Sequence, residues 1–109
     1  MDYMDRLRRL AINDAHCMED VGGDVASGDL DRKTLALVRL AALVAVGGAV
    51  PSYGAQVDAA VSAGATAAEI VDVLVGVVPV VGMPSVVAAA PKLALGLGHD
   101  IDEAFEHQI

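Results

Sequence analysis

A chain of 109 residues that is 55% hydrophobic, yet holds two tyrosines, one phenylalanine and no tryptophan, reads as one domain, 1–109, cored by Ala, Val and Leu. Its net charge is −8, with seven basic against fifteen acidic residues. Arg6, Arg8, Arg9 and Lys33 lie in the first third and no basic stripe follows, which argues against nucleic-acid binding by phosphate neutralisation. A single cysteine, Cys17, cannot close an intrachain disulfide, and the N-terminus does not read as a secretory signal, so the expected location is cytoplasmic.

In chain order, Leu7, Leu10 and Ala11, then Cys17 or Met18 and Val21, give a helical apolar stripe for a first helix over about Asp2 to Asp20. The stretch "GGDVASGDLD" supplies loop residues and ends on Asp31, an N-cap type. A second helix follows near Arg32 to Val46. It is apolar almost all round, so a central position is expected, with Gly47 and Gly48 as its stop. Pro51 suits the first turn of a third helix, where a missing N–H costs nothing; that helix runs to Ala63 and stops at Gly64. Thr66 and Glu69 in "TAAE" have the spacing of a capping box, opening a fourth helix to about Val78, where Pro79 kinks or ends it. A fifth helix spans Pro84 to Leu97, with Pro91 as a weak point and "GLG" as its stop. "DIDE" repeats the capping spacing at Asp100 and Glu103, for a short last helix. The expected fold class is all-α, a compact bundle of about six helices.

The stretch from Val73 to Pro91 has no charge and is long enough to raise the question of a membrane span. Pro79, Pro84 and Pro91, with Gly76 and Gly82, interrupt it, so two shorter helices and no membrane are expected. So many aliphatic side chains cannot all be hidden in a domain this small. A homo-oligomer that buries helix faces between subunits is the expected assembly.

The buried helix, the Pro-started helix and then "AAVSAGATAAEIVDVLVGVVPVVGMPSVVAAA" together resemble the carboxymuconolactone decarboxylase family, which includes alkylhydroperoxidase proteins of the D type. The carrying residues are "AGAT" at 63–66, Glu69-Ile70 and "GMPS" at 82–85, within a likeness over roughly residues 30–97. The resemblance implies an all-helical fold, commonly a homotrimer or homohexamer. In the hydroperoxidase branch it also implies two cysteines three apart at the start of the third helix, and a histidine four residues beyond. Counted back from "AGAT", those positions hold Ala49, Ser52 and Gln56, and a family glutamate on the preceding helix falls near Ala36. A serine hydroxyl forms no disulfide, so dithiol peroxidase chemistry is the least expected activity. The decarboxylase branch keeps the histidine, and the Gln56 amide does not titrate near neutrality.

Ser52, Tyr53 and Gln56 are read as one face, a polar pocket at a helix N-terminus; the plainer alternative has Ser52 capping, Tyr53 filling a gap and Gln56 bonding a neighbour. Arg39, the one charge between Lys33 and Asp58, needs an acidic partner if its helix is buried, with Asp58 and Asp72 as candidates; the other reading is a clamp for a substrate carboxylate. His16, Cys17 and Asp20 make too thin a ligand set for zinc, so no metal is expected. His99 pairs by spacing with Glu103, and His107 lies near the end. No cofactor motif appears. Two functions remain. One is a non-redox binding or accessory protein that holds a small organic acid or a partner. The other is an enzyme acting on a small lactone or keto acid, with Tyr53 as catalytic candidate beside Ser52, Gln56 and Arg39.

Overall fold

In the computed structural model residues 2–14 and 29–99 are described. All described regular structure is helical, in five helices. The chain divides into two units, Met1–Asp31 and Arg32–Ile109.

In the first unit, α1 (Tyr3–Ala11) opens on Asp2, whose Oδ1 accepts the Asp5 N–H at 2.8 Å. The helix ends at Ala11, well short of the expected Asp20. Asn13 takes a left-handed φ of 58°, and its N–H and that of Asp14 return to the Leu10 and Arg9 carbonyls. This pair of bonds is the Schellman stop, made here with asparagine, a residue that tolerates φ > 0. His16, Cys17 and Asp20, the set judged too thin to hold zinc, lie outside the described residues.

The second unit is a four-helix bundle of α2 (Arg32–Val46), α3 (Val50–Ser62), α4 (Ala67–Val81) and α5 (Met83–Gly96). Each helix contributes one stripe to a shared core: Ala36, Leu40 and Val44; Tyr53, Val57 and Ala60; Ile70 and Leu74; Val86, Ala89 and Leu93. Spacings of three and four put each set on one side of its helix. Complete burial of Leu40, Ile70 and Leu93 stabilises the bundle by about 2 kcal/mol each. No polar or charged side chain, Tyr53 aside, is buried among the described residues.

Helix ends follow local chemistry. Gly64 (φ 99°) and Gly98 (φ 89°) each complete a Schellman stop: the Gly64 and Ala65 N–H groups reach the Val61 and Ala60 carbonyls, those of Gly98 and His99 the Leu95 and Ala94 carbonyls. The capping box is formed in full at α4, with Thr66 Oγ1 accepting from the Glu69 N–H at 3.1 Å and Glu69 Oε1 accepting from the Thr66 N–H at 2.9 Å. Lys33 Nζ lies 2.6 Å from Glu69 Oε2 and ties the start of α2 to the start of α4.

Pro79 does not end α4, which runs on to Val81. A proline removes a single N–H from the ladder, and the Gly82 N–H picks the ladder up again at the Val78 carbonyl, 2.8 Å away. Gly82 (φ 85°) then breaks the apolar run, and among the described residues no helix is long and apolar enough to cross a membrane. Pro91 sits inside α5 without ending it. The helix expected from Asp100 lies outside the described residues.

The second helix is less central than its composition suggests. Only its Ala36–Leu40–Val44 stripe is buried, while Val38, Ala42, Ala45 and Val46 stand exposed. A four-helix core has a single inside, so a helix that is apolar all round must leave half its surface uncovered.

Candidate functional site

Helix α3 begins at a turn made by Gly47, Gly48 and Ala49. Gly47 needs glycine for its φ of 83°, whereas a Cβ at Gly48 would crowd only the tip of the Leu43 side chain, which would have to turn aside. Ala49 is the N-cap, in extended backbone with no side-chain cap, and Pro51 occupies the first turn. Ser52 follows with its side chain exposed and Gln56 half-buried. They stand four apart on one flank of α3.

Tyr53 does not share that flank. It is 1% exposed, with Val57 and Ala60 in the core stripe. Its hydroxyl donates to the Leu43 carbonyl at 3.4 Å, a long bond for O–H···O, to an acceptor that already takes the Gly47 N–H at 2.8 Å. Burial pushes the phenol above its ordinary pKa of 10.0. The hydroxyl is thus protonated across the neutral range, a donor and not a base.

Beside Tyr53 is a recess of about 180 Å3, lined by the last turn of α2, by Tyr53, and by Ser85, Ala88, Ala89 and Lys92 of α5. Lys92 Nζ donates to the Gly48 carbonyl at 2.8 Å. A larger groove, of about 700 Å3, runs between α4 and α5, with walls of Ala68, Val71, Leu74, Ala90 and Leu93 and with Asp72 and His99 on its lining.

Arg39 is not where a buried helix would put it. It is exposed, and no described acid pairs with it; Asp58 and Asp72 are themselves exposed. The side chain falls outside the buried stripe of α2, so water solvates the charge and the helix needs no counter-ion. The four residues Ser52, Tyr53, Gln56 and Arg39 are therefore not gathered into one pocket: two share a flank, one enters the core and one faces solvent.

A family model for the carboxymuconolactone decarboxylase family matches residues 15–94. The chain belongs to the carboxymuconolactone decarboxylase family. No curated protein and no solved structure matches it. The match reaches further toward the N-terminus than the likeness carried by the motifs, and it takes in the whole of α2, α3 and α4.

Within this family member, three of the positions singled out by the resemblance fall in the first two turns of α3 and its cap, and the fourth near the start of α2. Ala36 is in the core, Ala49 is the N-cap of α3, and Ser52 and Gln56 line its flank. Two polar residues near the junction of α2 and α3 were not singled out in the sequence: Lys92 and Ser85. Lys92 is the sole basic residue after Arg39, in a charge-free surrounding, and lies seven residues from Ser85, two turns along one helix side. Those two facts are the signal that reading along the chain could have used. Among the described residues no three His, Cys, Asp or Glu side chains converge to hold a metal.

Proposed function

We propose that this carboxymuconolactone decarboxylase family protein is a non-redox, oligomeric binding or accessory protein that holds a small organic acid. The observation that carries this reading is the chemistry at the start of α3, where Ala49, Ser52 and Gln56 offer a methyl, a hydroxyl and a carboxamide. None can form a thiolate or shuttle a proton at neutral pH, whereas glutamine orients a carbonyl or carboxylate well. The one cysteine of the chain, Cys17, stands outside that stretch.

The competing reading, proton transfer to a lactone or keto acid by Tyr53, is weakened by where Tyr53 lies. A core phenol with a raised pKa is a poor base, and none of the described cations pairs with it to lower that pKa. Apolar side chains left uncovered on the bundle support the oligomer: Val46 is 81% exposed and Val80 85%.

A peroxide-consumption assay with a dithiol reductant, run on the wild-type protein and on Cys17→Ser, tests the proposal together with thermal shift in a panel of small carboxylic acids. Stabilisation by an acid without its consumption and without peroxide turnover is expected. Peroxide turnover that survives Cys17→Ser, or conversion of the acid abolished by Tyr53→Phe, would overturn it.

A further inference from the structure

We infer that the recess between the end of α2 and α5 is a binding site for a short aliphatic monocarboxylate, with Lys92 as the cation that holds the carboxylate. The inference rests on the reading that the protein binds a small organic acid, and it gives that acid a place and a class.

Lys92 is half-buried and carries an ammonium with three donors. One is spent on the Gly48 carbonyl at 2.8 Å, a neutral acceptor that leaves the ammonium without a carboxylate partner among the described residues. No carboxylate lines the recess, and none of the described acids pairs with Lys92, although the chain carries eight more negative than positive charges. A cation kept apart from abundant carboxylates, in a concave surface, attracts the next small anion that arrives. The last turn of α2 presents the negative end of its dipole here, so the ammonium and not the backbone supplies the attraction.

Two hydroxyl-bearing residues line the recess. Ser85 stands two turns before Lys92 on the same helix. Tyr53 lines the inner side, with its hydroxyl proton already given to the Leu43 carbonyl, so it adds ring surface and no donor for a carboxylate. The rest of the lining sets the methyl groups of Val44, Val46 and Ala88 beside a comparable amount of polar surface. This arrangement suits a short monocarboxylate: a charged donor at one point and a few methyl groups beside it for a short aliphatic tail. The volume, about 180 Å3, excludes a drug-sized ligand and suits an acid of a few carbons.

Butyrate titrations followed by amide chemical shifts, on the wild-type protein and three variants, test this. Butyrate is expected to shift Val46, Gly47 and Ala88 saturably, while butyramide, uncharged and of the same shape, leaves them in place. Lys92→Gln, which keeps a donor for the Gly48 carbonyl, should weaken butyrate at least tenfold, and Lys92→Arg should retain it. Ala88→Leu, at an exposed helical position, should block the recess with Lys92 intact. Failure of wild type to bind butyrate overturns the inference, as does equal binding of chloride or butyramide. Binding that survives both Lys92→Gln and Ala88→Leu also overturns it while sparing the proposed function. Binding lost in both variants, but accompanied by conversion of the acid, upholds the site and refutes the non-enzymatic reading instead.

Discussion

Lys92 reaches across the bundle to the carbonyl of Gly48, 44 residues earlier, at 2.8 Å. One charged side chain on α5 thereby fastens the turn that sets the direction of α3. A charge-assisted bond to backbone at the carbonyl end of α2 is favourable twice over, through the hydrogen bond and through the helix dipole. Lys92→Met is expected to lower the unfolding free energy by about 1–2 kcal/mol. Lys92→Arg should lower it by less. Urea denaturation, with unchanged m-values, checks both.

Three glycine-to-alanine substitutions separate helix propensity from packing. At Gly96 a Cβ would stand 3.2 Å from Val57 Cγ2 and 3.5 Å from the backbone of Gly54, where α5 crosses α3. Gly96→Ala should therefore destabilise by about 1–3 kcal/mol as the helices are forced apart. Gly54 and Gly76 are helical with nothing within 4 Å of an added Cβ. Alanine at either should stabilise by about 0.5–1 kcal/mol. Thermal unfolding of the three single variants gives the ordering directly.

Tyr53 contributes by volume more than by its hydroxyl. Tyr53→Ala should cost about 3–5 kcal/mol through the cavity it leaves. Tyr53→Phe should cost less than about 1 kcal/mol, because the bond to Leu43 is 3.4 Å long. The raised phenol pKa has its own signature. A group whose pKa is higher folded than unfolded contributes stability below the unfolded value, about 10 for this phenol, and loses it as pH rises through the folded one. An alkaline loss of stability that starts near pH 10 and is absent from Tyr53→Phe is the expected result of stability scans between pH 8 and 11.

Glu69 gives the acid-side counterpart. Its pKa is lowered chiefly by the Lys33 bond and next by the Thr66 N–H. A depressed folded pKa means stability present above the unfolded carboxylate value, about 4.5, and lost as pH falls through the folded one. Both partners are partly exposed, so salt should shrink the effect. Comparing wild type with Glu69→Gln between pH 2 and 6, at low and high ionic strength, measures it.

The bundle's uncovered aliphatic side chains should place more than one chain in each particle. Val38 on α2 and Val75 and Val80 on α4 are all exposed. Sedimentation is expected to return a multiple of the single-chain mass, and Val38→Glu or Val80→Glu to shift it downward if that face is joined. A mass of one chain for the wild type removes the oligomer from the proposed function.

Helix positions were legible because their punctuation is local. Gly64, Gly98, Thr66 with Glu69, and Pro51 each act within a few residues, and the structure uses all of them as read. The bounds of α2, Arg32 to Val46, came out unchanged. The errors arose where a local sign has two outcomes. Pro79 removes one bond but leaves its neighbours able to resume, and Asn13 ends a helix that periodicity alone would carry onward.

The site was less legible. Spacing reads Ser52, Tyr53 and Gln56 as one face, whereas Tyr53 enters the core and Ser52 and Gln56 stay outside it. Adjacent helical residues point about 100° apart, and the larger apolar body of tyrosine took the inward place. The Arg39 partner was sought because a wholly apolar helix suggested burial on all sides. The role of Lys92 is not legible in the sequence, because its partner is 44 residues away, a relation that no periodic pattern encodes.

An interior of aliphatic side chains and one tyrosine, with no buried ion pair among the described residues to index one helix against the next, discriminates weakly between neighbouring registers. What holds each rod at its length is the set of terminal knots, where left-handed residues turn the backbone onto its own last carbonyls. Uniqueness in this bundle is thus written at the tips of the rods, and swapping Gly64 or Gly98 for a β-branched residue should blur the whole alignment more than trimming a methyl from the middle.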